Sequence, residues 1–252
     1  MFKPRLIPCL LISDEKLVKT KQFKSPKYVG DPLNVVKIFN EKEVDEIMIL
    51  DISATKKNKA PNFNLIRNIT SECFMPLSYG GGINSIDDAT KLFDIGVEKL
   101  IFQNSFYSNP SLIKDLSLRF GSQSIVISID LKKTWNKKIK PFFYYKKKFF
   151  NTKLEELFKK AYELGAGEIF LQIVHKEGTR SGADLSCFPK NLTEFPLPIV
   201  IAGGVSSLKD VKSYLKIGAD AVGAGAFFIF KGPQDAVLIS YPQEVYNDQY
   251  LN

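Results

Sequence analysis

YGGGINSIDDATKLFDIGVEKLIF, from Tyr79 to Phe102, reads like a copy of AGGVSSLKDVKSYLKIGADAVGAG, from Ala202 to Gly225. Gly81 and Gly203 are 122 residues apart, as are Gly96 and Gly218. The same 122-residue offset separates Glu46 from Glu168 and pairs DEIMIL with GEIFLQ. A repeat of half the chain, holding about four strand–helix units, fits a barrel assembled from two similar halves. Working outward, short apolar runs suited to strands fall at 5–11, 46–51, 76–79, 99–102, 124–130, 168–172, 198–202 and 219–222. Helical stretches lie between them, after Asp31-Pro32, Ser85 and Asn109-Pro110 and over 154–164. Ser85, Asn109 and Ser207 are expected N-caps, with Pro110 at the first helical position. The expected fold is one α/β domain over residues 1–252, a (β/α)₈ TIM barrel of two half-barrels.

Composition agrees with a globular barrel. The chain has 252 residues, 44% hydrophobic and 25% charged, enough apolar material for a core. No apolar run has the roughly 20 residues of a membrane span. The start, MFKPRLIPCLLISDE, imitates a signal peptide, but Pro4 and Pro8 interrupt it and no small-residue cleavage site follows. A cytoplasmic protein is expected. Cys9, Cys73 and Cys187 are odd in number and far apart, and His175 is the lone histidine. No disulfide framework, zinc site, catalytic triad or cofactor is expected from such a set. Net charge is +8, with lysines concentrated over 137–140 and 146–148, and this favours anionic partners. Bases and aromatics alternate in KKIKPFFYYKKKFF, as in single-strand nucleic-acid binders. A hairpin-like excursion between barrel elements is the preferred reading, and nucleic-acid binding ranks last among the functions considered.

Each half places glycines at the end of a strand and then a helix-starting serine: Gly80-Gly81-Gly82 before Ser85, and Gly203-Gly204 before Ser206-Ser207. Glycine lets backbone N–H groups come close to an anion, and a helix start adds positive potential. The next strand ends, Gln103-Asn104-Ser105 and Gly223-Ala224-Gly225-Ala226, would complete two phosphate cradles. The pair implies a small-molecule ligand phosphorylated at both ends, or two phosphorylated ligands.

The residues reached so far resemble the HisF family, the cyclase subunit of imidazole glycerol phosphate synthase, along nearly the whole chain. The resemblance rests on RLIPCL, VKT at Lys19, GDP at Gly30, LDISA at Leu50, PLSYGGGINS, NPSL at Asn109, RFGSQ at Arg119, SID ending at Asp130, ELGAGEI and GTRSGAD at Gly178. RFGSQ separates it from the related isomerase HisA. The resemblance implies a lyase that takes ammonia from a HisH glutaminase, cleaves a ribonucleotide carrying a phosphate at each end, and closes an imidazole ring. Two aspartates, at the ends of the first and fifth strands, share the proton transfers in that chemistry. Asp130 matches one of them; the other falls at Leu11, which cannot carry a proton.

Period-2 alternation puts Arg5, Ile7, Cys9 and Leu11 on one side of their strand, and Asp14 lies in the next loop on the other parity. The family's loop lysine is Lys19, while Gln103, Gln172 and Glu177 replace its usual Asn, Thr and Asp. At the opposite end, the family's ammonia gate matches Arg5, Glu46, Lys99 and Glu168, each expected as the first residue of its strand, with Gln123 near the glutaminase side. Retention of the gate with loss of one acid implies ammonia transit without ring closure, so enzyme activity in this barrel is left open. The preferred reading is a subunit paired with a HisH-like glutaminase that supports amidation of a phosphorylated acceptor. The acceptor would be a sugar nucleotide in acetamidino-sugar (lipopolysaccharide) biosynthesis, which brings in a sugar amidotransferase. The alternatives are a true cyclase of histidine biosynthesis, and a non-catalytic phospholigand-binding activator of a glutaminase.

Overall fold

Eight parallel strands pair in sequence order and the last returns to the first. In the computed structural model, which describes residues 4–189 and 192–242, they are β1 (Arg5–Ser13), β2 (Ile47–Asp51), β3 (Leu77–Gly80) and β4 (Lys99–Phe102). The second half supplies β5 (Ile125–Lys133), β6 (Glu168–Ile173), β7 (Ile199–Ala202) and β8 (Ala221–Ala224). Every neighbouring pair is parallel, and Arg5–Pro8 of β1 in register with Ala221–Ala224 of β8 closes the barrel. Helices between strands include Pro32–Glu41, Ile86–Asp94, Pro110–Phe120, Leu154–Glu163 and Leu208–Lys216. The (β/α)₈ barrel expected from the repeat is the fold observed. No helix among the described residues is long and apolar enough to cross a membrane.

Alternation along β1 divides the core. Leu6, Leu10 and Ile12 pack outward into the layer between strands and helices, while Ile7 and Cys9 point into the barrel. There they meet Met48, Ile101, Val126, Phe170 and Val200. The interior is therefore a packed core with a polar floor below it and a cavity above it. Gly81 and Gly203 occupy equivalent left-handed positions, φ +121° and +118°, and Gly82 and Gly204 follow at +75° and +84°. A side chain at Gly81 would strike the Asp51 carbonyl, and one at Gly203 would come within 2.7 Å of the Ile173 carbonyl. The repeat is thus enforced twice by the same backbone requirement.

Several local expectations are corrected. Glu46 lies just outside β2, which begins at Ile47, so it is not the first residue of its strand. Ser85 and Ser207 form capping boxes, whereas Asn109 precedes its helix without capping it. Its Oδ1 instead accepts from Ser111 Oγ at 2.8 Å. The basic aromatic segment is a hairpin, Ile139–Phe143 against Lys148–Phe149, laid antiparallel along the end of β5. Phe142 and Phe143 are buried there. A second hairpin, Lys16–Lys21 with Lys24–Gly30, extends β1.

Candidate functional site

The floor of the barrel is a closed ring of charges. Arg5 bonds Glu46 at 2.6 Å and also Glu168, while Lys99 Nζ reaches Glu46 at 3.0 Å and Glu168 at 3.1 Å. Each cation touches both carboxylates, so no charge in the ring stands alone. Ser78 Oγ donates at 2.6 Å to Glu46 Oε1, which Lys99 Nζ also reaches at 3.2 Å. Glu46 and Glu168 are 2% and 5% exposed, whereas the Arg5 and Lys99 side chains keep 28% and 20%. Burial works against the Arg5 charge, but the two glutamates outweigh it and raise its affinity for the proton. The offset between Glu46 and Glu168 thus brings two equivalent acids together across the barrel. Gln123 is exposed on this side, donates to the Phe120 carbonyl at 3.3 Å, and takes no part in the ring.

The mouth holds a cavity of about 530 Å³. Leu11 and Asp130 both line it, with Leu50, Ile101 and Phe170 forming an apolar bottom. Asp130 is 3% exposed and sits on β5 in register with Gln172 of β6. Burial pushes its carboxyl up to about 7, against a Gln103 hydrogen bond that lowers it. An acid poised near neutrality can both give and take a proton. Leu11 is buried and paired with Leu50, so the first-strand position offers hydrocarbon where the second acid is expected. Asp14 is exposed and ion-paired with Lys57, outside the cavity. Asp51 is the other carboxylate lining the cavity, and its Oδ1 takes Ser53 N, Ser53 Oγ and Ala54 N at 2.8–2.9 Å.

The two glycine turns flank this mouth. Gly81, Gly82, Gln103 and Asn104 line the cavity, whereas Gly203, Gly204, Gly225, Ala226 and Lys19 surround a smaller recess that shares Leu11 and Gln172 with it. Lys19 is buried, with Nζ 3.4 Å from the Cys9 carbonyl, and a side chain on Gly225 would collide with it. Burial lowers its proton affinity, partly offset by Glu177. At the start of the longer helix after each turn, Asp88 accepts from Asn84 N and Ser85 N, and Asp210 from Ser206 N and Ser207 N, which places a carboxylate beside each helix start. Beside the glycine turns, one-turn helices start at Asn104 and at Ala226.

Sequence reasoning missed how the mouth is roofed. Glu177, noted only as a replaced aspartate, is 4% exposed and accepts from Thr20 Oγ1 at 2.9 Å and from Phe23 N at 3.2 Å. Gly178 next to it has φ +68°, and a side chain there would strike the Thr20 carbonyl. The first hairpin is thereby clamped onto the loop after β6. Phe23 then meets Tyr144 of the other hairpin edge-on at 5.3 Å, and Tyr144 donates to the Phe23 carbonyl at 3.2 Å. Lys56 lies 5.0 Å over the Tyr144 ring, and Tyr145 and Lys147 complete the cavity rim. The alternation of bases and aromatics that imitated a nucleic-acid binder is used in part as this roof.

With this geometry in place, similarity to known proteins is informative. The family described as histidine biosynthesis protein matches residues 5–233. A Leptospira interrogans protein provisionally named imidazole glycerol phosphate synthase subunit HisF is 43% identical over 244 residues, 96% of each chain. A Pseudomonas aeruginosa protein, provisionally named subunit hisF2 of the same synthase, is 42% identical over 96% of this chain and 97% of its own. The Streptococcus mutans imidazole glycerol phosphate synthase subunit HisF is 35% identical over 91% of each chain. This chain belongs to the histidine-biosynthesis protein family, in its HisF line.

Proposed function

We propose that this barrel receives ammonia from a HisH-like glutaminase through its floor and supports amidation of a phosphorylated acceptor at its mouth, without closing an imidazole ring. The observation that carries this reading is the contrast between an intact charge ring and Leu11 beside Asp130. Ammonia transit needs a gated floor, and the ring has the means: two cations each bridge two acids, so moving one side chain leaves every acid a partner. Ring closure needs proton removal and delivery at different atoms, and one of the two carboxylates is absent. A sugar nucleotide in acetamidino-sugar biosynthesis, processed with a sugar amidotransferase, suits a mouth with two anion cradles and an aromatic rim. The test is copurification of the tagged chain with the glutaminases and sugar amidotransferases of its cell, followed by glutamine hydrolysis with and without each partner. A stoichiometric glutaminase whose hydrolysis rises in the complex supports the proposal. A chain that recruits no glutaminase overturns it.

The true-cyclase reading is favoured by Asp130, whose carboxyl near 7 suits a general acid–base group. Rescue of a histidine auxotroph lacking its cyclase decides for it. The non-catalytic activator reading predicts glutaminase stimulation by phospholigand with no aminated product.

A further inference from the structure

Nine and twelve residues separate His175 from Asp184 and Cys187 along the chain, yet the loop after β6 brings all three together. Their ligand atoms lie within 4.8 Å of one another, and His175 Nε2 is 2.9 Å from Asp184 Oδ2. Zinc bonds of about 2.0–2.3 Å place tetrahedral ligand atoms roughly 3.3–3.7 Å apart, so a closure of about an ångström would complete the set. Among the described residues His175 Nδ1 is buried with no hydrogen-bond partner, and Cys187 is 7% exposed. We propose that His175, Asp184 and Cys187 bind one divalent cation of the zinc class, with a fourth position left to water.

Mixed nitrogen, oxygen and sulfur donors select zinc over magnesium or calcium, which prefer oxygen alone. Burial pushes the Cys187 thiol up to about 12, so the apo site is a neutral thiol beside a carboxylate. On binding, the sulfur–metal bond forms as the thiol proton leaves to solvent, and affinity therefore rises with pH. Lys133 Nζ lies 3.9 Å from Asp184, but its side chain is 40% exposed and is free to swing into water. Lys176 Nζ is engaged by Ser181 Oγ at 3.2 Å.

The position gives the cation a structural consequence. From this loop Gly182 N donates to the Gly204 carbonyl at 2.8 Å, and Asp184 N donates to the Tyr214 hydroxyl at 3.2 Å. Tyr214 in turn donates to the Gly203 carbonyl at 2.8 Å, and Gln22 Nε2 to the His175 carbonyl at 2.9 Å. A cation here pins the second glycine turn and the first hairpin together.

The test uses the full chain, stripped with chelator and titrated with Co²⁺ and then with Zn²⁺ against a chromophoric competitor. The expected result is one metal per chain, a near-ultraviolet thiolate-to-cobalt band, and a higher melting temperature with zinc. Cys187→Ser should abolish the band, and His175→Gln should weaken zinc binding by at least about 100-fold. Cys73→Ser should change neither. Circular dichroism identifies any variant that fails to fold, and His175→Gln then stands in for Cys187→Ser. Absence of stoichiometric binding, or a band that survives in both variants, overturns the proposal.

Discussion

The floor and the mouth of this barrel are built from the same eight strands, yet they diverge in what they retain. At the floor, four charges on β1, β4, β6 and the turn before β2 satisfy one another completely, with Ser78 bracing Glu46. At the mouth, Asp130 faces a leucine across the cavity, and its charge is opposed by burial. A closed ionic ring resists piecemeal change, because removing any member leaves a buried opposite charge under-compensated. A mouth built on loops and strand ends carries no such constraint, and one substitution there changes chemistry without disturbing the fold.

The sharpest way to break this comparison is to restore the mouth. Leu11→Asp should raise ring-closing turnover with ammonium salt on the order of 10²- to 10⁴-fold, the usual contribution of a general acid–base group. Direct measurement of imidazole glycerol phosphate formation checks this, and an unchanged rate would show that the mouth differs for other reasons. Breaking the floor comes next. Lys99→Ala should leave the glutaminase hydrolysing glutamine, while free ammonium rises and glutamine-dependent product falls by about tenfold or more, restored by external ammonium. Its stability cost should be about 3 kcal/mol by denaturant titration, because Arg5 still bonds both acids and compensates them only in part.

A smaller effect concerns the Asp130 carboxyl. Its affinity for the proton rises from 3.8 to about 7 on folding, so the folded chain holds the extra proton between those values. Stability then falls as pH rises through this window, by up to roughly 4 kcal/mol, and the loss is complete above about pH 7. Asp130→Asn should therefore be more stable than wild type at pH 8 and equal to it near pH 4, as read by urea melts. Equal melts at both values would show that the carboxylate is better solvated than its burial implies. The smallest effect separates the two cradles. Gly203→Ala should weaken inorganic phosphate binding at the second turn, where Lys19 adds its charge, and leave the first turn unchanged by phosphorus NMR titration.

The barrel was legible because its signal is repeated. The offset between Gly81 and Gly203 reports a backbone geometry that only glycine holds comfortably, and alternation in β1 places Ile7, Cys9 and Leu11 inward before any coordinates exist. The floor was legible through the family resemblance, which matched Arg5, Glu46, Lys99 and Glu168, and the structure brings these four charges together. The roof was not. Glu177, Thr20 and Phe23 come together through loops whose course no periodicity encodes, and Tyr144 reaches Phe23 across 121 residues. The capping acids Asp88 and Asp210, three residues after their serines, are visible in the sequence and accept from the serine N–H groups. His175, Asp184 and Cys187 escaped notice because their spacing matches no metal motif and the carboxylate was not counted with the other two.

The central claim is that ammonia still has a way in while the imidazole ring no longer has a way to close. Growth of a histidine auxotroph lacking its own cyclase, but keeping its glutaminase and expressing this chain, tests it most directly. The account predicts no growth without histidine even when the chain accumulates as folded protein. Sustained growth at the rate given by an authentic cyclase would contradict it.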